Sequence, residues 1–141
     1  MLWGHGIAVS AERPIADARI AVAANFRDTA EAIALHLEAR SSYRYDIIVG
    51  STGKLASQVI NGAPFDVLMA ADRVRPQRLV EGGYAVAGSQ RTYARGELGL
   101  WWPEAGQHVA ITDLKALDPR EICLANPMLA PYGAAALAVL R

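Results

Sequence analysis

Residues 47–58, IIVGSTGKLASQ, set two glycines, two hydroxyls and a lysine directly after an apolar run. Such a turn exposes backbone N–H groups beside side-chain donors, which is the chemistry that holds an anion. A nucleotide P-loop is excluded. That motif needs four residues between its first glycine and the Gly-Lys pair, then Ser or Thr to hold Mg²⁺. Only Ser51 and Thr52 separate Gly50 from Gly53, and Leu55 follows Lys54. Two readings stand on these residues alone: a cradle for a small anion, or an ordinary strand-to-helix turn with hydroxyl caps.

The flanking pattern supplies the elements that would position this turn. Residues 18–24 read as a strand centred on Ile20 and Val22. Asn25 is a good N-cap, and a helix follows to Arg40 with Phe26, Ala30, Ile33, Ala34 and Leu37 at helical spacing. Tyr45–Val49 reads as a second strand and Lys54–Asn61 as a second helix, stopped by Gly62. FDVLMAAD, 65–72, is nearly all apolar, as a buried parallel strand would be, and Pro76–Val80 forms a short helix closed by Gly82-Gly83. This β-α-β-α-β-α order predicts an α/β fold with a parallel sheet and flanking helices.

The second part has a different rhythm. Residues 91–102 read as an extended crossing between two lobes, TDLKAL as a short helix, EICLANP as a strand, and Gly133–Leu140 as an alanine-rich helix. The expected division is a leader or signal remnant over 1–17, a first lobe over 18–90, the crossing, and a partial second lobe over 103–141.

Bulk properties narrow the function. The chain has 141 residues, is 52% hydrophobic, and balances fourteen basic against fourteen acidic residues. It is a globular domain or a small pair of lobes with no charge footprint for nucleic acid. No apolar run approaches membrane-spanning length. Cys123 is the single cysteine and reads as a small hydrophobe in a buried strand. His5, His36 and His108 are isolated, so no metal site and no cofactor are expected. No Ser-His-Asp order, HExxH or carboxylate pair appears, so no residue is assigned as catalytic and no enzyme is expected.

Three turns therefore carry the chemistry: Ala23-Ala24-Asn25, Gly50–Gly53, and Asn126-Pro127 running into Pro131-Tyr132-Gly133. Ligands of open α/β sheets bind where such turns converge. Their tips offer donors and no carboxylate, which suits a fully deprotonated oxyanion rather than one carrying its own proton. Lys54 is the single basic residue at a tip, so dipoles and hydrogen bonds would hold the dianion.

RIAVAANF, VGSTGKLASQVINGAPFDVLMAAD, AGSQRTYARGELGLWW and ICLANPMLAPYGAAAL together resemble the periplasmic molybdate-binding proteins of ABC importers. NGAPFDVLMAAD and NP…APYG are the most specific pieces, and the resemblance runs over 18–141. It implies a type II periplasmic-binding-protein fold closing on molybdate or tungstate, an inner-membrane permease as partner, and a periplasmic location. It also implies ligand roles for Asn25, for the Thr52 hydroxyl and for the Tyr132 backbone N–H, with Ser51 as a neighbour. Ala24 stands where some relatives have threonine, so that donor is missing. Family members continue beyond the position of Arg141, which implies an incomplete second lobe and weakened or absent binding. The rival readings are a non-binding truncated paralog or fragment, and a ligand-sensing effector domain of the same fold.

Overall fold

The computed structural model describes residues 16–101 and 110–141. Its centre is a three-stranded parallel sheet of β1 (Ala18–Ala23), β2 (Tyr45–Gly50) and β3 (Val67–Met69), in the order β2-β1-β3. The central strand is the most buried, with Ala21 and Val22 fully enclosed and Ala23 nearly so. Parallel pairing demands crossovers, and α1 (Arg27–Glu38) and α2 (Thr52–Ile60) supply them, with α3 (Val74–Glu81) following β3. Six of the nine buried apolar residues among those described are alanines: Ala21, Ala23, Ala30, Ala34, Ala56 and Ala70. Small side chains let helices ride close to the sheet, and Leu55, Val22 and Leu79 fill the remaining core.

Helix ends follow local chemistry. Gly62 (φ 83°) and Gly83 (φ 74°) terminate α2 and α3 in the left-handed region. Helix α3 starts two residues before Pro76, because the Asp72 carboxylate accepts the Arg75 backbone N–H at 2.8 Å. Asp17, at the edge of the expected leader, is already tied to the sheet. Its carboxylate accepts the Arg44 N–H at 2.7 Å while its own N–H donates to the Arg44 carbonyl at 2.9 Å.

The remaining described residues contain no strand. Residues 91–101 run irregular and exposed beside the sheet. They are followed by 3-10 turns at Ile111–Ala116 and Pro119–Glu121 and by α4 (Pro131–Val139). EICLANP, expected as a strand, forms none, and Cys123 is exposed rather than buried. An apolar run becomes a strand only when a neighbour accepts its backbone hydrogen bonds, and no described strand lies beside this one. Residues 1–15, the bulk of the expected leader, and 102–109 lie outside the described residues.

Candidate functional site

The strand register aligns the exits of the sheet. Ala23 sits opposite Gly50, and Val22 opposite Met69, so residues 24–26, 51–53 and 70–72 all leave from one edge. Asn25 falls in a 3-10 turn, Ala24–Phe26, ahead of α1. The N-cap of α1 is Phe26, not Asn25 as the sequence suggests, so the exposed Asn25 carboxamide is not used as a helix cap. Ala24 is exposed beside it.

The mouth of α2 is built from Ser51 and Thr52. Ser51 is the N-cap, and its Oγ accepts the Lys54 N–H at 3.3 Å. Thr52 is the one buried polar residue among those described, and its Oγ1 accepts the Ala71 N–H at 3.1 Å, pinning the exit of β3 to the start of α2. Each hydroxyl thus uses a lone pair within the protein and keeps its proton to donate. The N–H groups of Thr52 and Gly53 have no carbonyl four residues back within the helix. The mouth is therefore rich in donors, with acceptors limited to the remaining hydroxyl lone pairs and the nearby Leu129 carbonyl.

Asn126 organises a second donor end. Its side-chain oxygen accepts the Met128 N–H at 2.9 Å, and its carbonyl accepts those of Leu129 and Ala130 at 3.2 and 2.8 Å. The chain then turns directly into α4 with Pro131 in its first turn. Ala130, the N-cap, has no side-chain acceptor, so the Tyr132 and Gly133 N–H groups have no cap. Gly133 must be glycine, because a Cβ there would overlap the Ala125 carbonyl. The two ends lie close together: a Cβ on Gly53 would sit 3.4 Å from the Leu129 carbonyl oxygen. This third turn follows irregular chain rather than a strand, so it joins the sheet edge from outside.

A cleft of about 1090 Å³ opens beside these turns, lined by Asn25, Ala70, Ala71, Asp72, Tyr93 and Tyr132 among others. Asn25 and Tyr132, more than 100 positions apart, share this wall. Ser51, Thr52 and Ala24 lie outside its lining, with Thr52 one hydrogen bond behind it through Ala71. Tyr93 packs edge-on against Phe26 at 5.0 Å between ring centres, and its hydroxyl donates to the Ala70 carbonyl at 2.9 Å. Burial, with the nearby Tyr132 phenol, pushes the Tyr93 hydroxyl above its ordinary titration range. Tyr132 in turn lies over Gly96, where any side chain would overlap its phenol oxygen.

The turn tips gave no sign of the cations: Arg73, Arg91 and Arg95 line the cleft, and a fourth stands beside the α2 mouth. Arg75 brings its guanidinium to the mouth of α2, with Nε 3.5 Å from where a Cβ of Gly53 would lie. Its charge is balanced by Asp72, which lines the cleft. The reading counted turn tips alone, whereas Arg75 reaches back from the first turn of α3. The Asp72–Arg75 spacing of three on a helix start was the available signal. Among the described residues no group of three or more His, Cys, Asp and Glu side chains could hold a metal ion, and no helix is long and apolar enough to cross a membrane.

The geometry joins a wider comparison. The family model for bacterial extracellular solute-binding proteins matches residues 18–141. The chain belongs to this family. Membership places it among binding proteins rather than enzymes. A molybdate-binding protein ModA of Azotobacter vinelandii is 42% identical over 129 residues, covering 89% of this chain and 50% of the relative. The Rhodobacter capsulatus ModA is 38% identical over 121 residues, covering 86% and 48%. The solved periplasmic molybdate-binding protein of A. vinelandii superposes with a TM-score of 0.78 at 35% identity, over 88% of this chain and 54% of that one. The α/β architecture is therefore that of the periplasmic molybdate-binding fold. The chain spans about half the length of the curated relatives it matches.

Proposed function

We propose that this solute-binding chain carries a recognition site for a tetrahedral oxyanion, molybdate or tungstate, serving an ABC importer in the periplasm. One observation carries the reading: the starts of α2 and α4 lie close together, and the Thr52, Gly53, Tyr132 and Gly133 N–H groups have no capping partner among the described residues. A dianion without protons needs that set and no acceptor. Asn25 would add its carboxamide, Ser51 and Thr52 their hydroxyl protons, and Tyr132 its backbone N–H, with Ala24 contributing backbone alone. The relatives named for molybdate support the choice of anion. No resident cofactor is needed, because the anion is cargo. An inner-membrane permease would receive it.

The cleft volume qualifies the affinity. About 1090 Å³ is slightly above the ~300–1,000 Å³ that holds drug-sized molecules, and far exceeds a single four-oxygen anion. An anion at one corner of so open a site stays partly hydrated, so the chain by itself should bind molybdate much more weakly than the longer relatives. Titration calorimetry with sodium molybdate on the chain and on Asn25→Ala tests the assignment. Loss of about one charge-assisted hydrogen bond, roughly 1.5–3 kcal/mol, is expected in the variant. Equal heats from both would remove Asn25 from the site, and no heat from either would count against the reading.

A further inference from the structure

Arg75 bonds to both parts of the described chain. Nη1 pairs with Asp72 Oδ2 at 2.5 Å, and Nη2 donates to the Met128 carbonyl at 2.9 Å. Its Nε edge lies against Gly53. Asp72 grips the same residue twice, since its other oxygen accepts the Arg75 backbone N–H. The ion pair is three-quarters or more buried on both sides. Among the described residues, Arg75 to Met128 is the one hydrogen bond that joins 16–101 to 110–141.

A planar guanidinium presents its donors in a fixed fork, so satisfying Asp72 with one nitrogen aims the next at a set position. That position holds the carbonyl of Met128, two residues before the N-cap of α4. We infer that Arg75 is a positioning residue: anchored on Asp72, it holds the 126–132 turn against the mouth of α2 and so presets the spacing of the two donor ends. Asp72 and Met128 take two of its five N–H donors, and the role inferred here is exerted through the turn they hold. As a role at the anion site this inference rests on the proposed function, whereas the bridge itself is independent of any ligand. Lysine cannot replace it, since an ammonium at the end of a flexible stem lacks the fork that reaches both acceptors at once.

The test is hydrogen exchange on the full chain without anion, for wild type, Arg75→Met and Arg75→Lys, followed by calorimetry with sodium molybdate. Both variants should exchange faster in peptides covering 126–132, with β1 and β2 unchanged. Where the wild type binds molybdate, both should weaken it about tenfold or more, as expected for loss of a charged hydrogen bond. Unchanged exchange at 126–132 would overturn the inference. Full rescue by lysine would overturn it too, because charge alone would then suffice. Faster exchange across the sheet in both variants would also overturn it, making Arg75 a general fold residue. A wild type that gives no molybdate heat would sink the anion reading while leaving the exchange result to judge the bridge.

Discussion

The two walls of the cleft are held in different ways. On one side, residues 18–69 form a sheet whose central strand pairs with β2 along its length and with β3 over Ile20–Val22, and two helices bury their alanines on it. On the other, residues 110–141 form two 3-10 turns and one helix, with no strand and one hydrogen bond to the rest of the described chain. Each region presents a helix start with unpartnered N–H groups, α2 beside the cleft and α4 at its wall. The donor chemistry is thus local and cheap to build, while its rigidity depends on what lies behind it. Stability should concentrate in the first region, and affinity should depend on the second.

The contrast breaks most visibly in the core. Leu55 is 1% exposed and fills the space between α2 and the sheet, whereas Met128, in the second region, is 79% exposed. Leu55→Ala should cost about 2–5 kcal/mol, for lost burial and the cavity left behind. Met128→Ala should fall within about 0.5 kcal/mol, as surface changes do. Urea unfolding followed by circular dichroism measures both. Equal losses would mean that the second region shares one core with the first.

Thr52 sharpens the comparison at the point where structure and site meet. Thr52→Val keeps the shape but leaves the Ala71 N–H without its acceptor, costing about 1–3 kcal/mol. The same variant also removes a hydroxyl proton from the proposed anion site. Wild-type stability in the valine variant would show that the Ala71 N–H has another partner.

The smallest effect should come from pH. Tyr93 titrates above its ordinary range in the folded chain. Below the ordinary tyrosine value of about 10, both folded and unfolded chains keep the proton, so the full stabilisation is present. Above it the unfolded chain releases its proton first, and stability falls as pH rises through the folded value. Tyr93→Phe should flatten that alkaline decline in a series of thermal melts, and an unchanged decline would assign it to other groups.

How far these walls could be read from residues alone follows the same divide. The sheet was legible because its strands are short apolar runs between clear stops, and Gly62 and Gly83 end α2 and α3 as their positions suggest. The hydroxyl turn at 50–53 was legible as a strand-to-helix turn, because glycine and hydroxyls after a strand cap a helix and expose donors whatever the tertiary context. EICLANP was not legible, since an apolar run does not report whether a neighbouring strand exists to pair with it. Neither was Asn25, which looks like a cap by type yet lies one residue too early, inside a 3-10 turn. Arg75 was hidden for a third reason. Its partners are Asp72, three residues before it, and a carbonyl 53 residues later, and backbone carbonyls carry no sequence signature.

The most direct test of the oxyanion site is a thermal melt of the chain with molybdate, tungstate, sulfate and phosphate in turn. A ligand at a hundred times its Kd adds about 2.7 kcal/mol, enough to raise Tm by several degrees in a domain of this size. The proposed donor-rich site predicts a rise with molybdate and tungstate at high concentration, and a smaller one with phosphate, which brings a proton of its own. A cooperative melt that none of the four anions shifts, or one that phosphate shifts as much as molybdate, would contradict it.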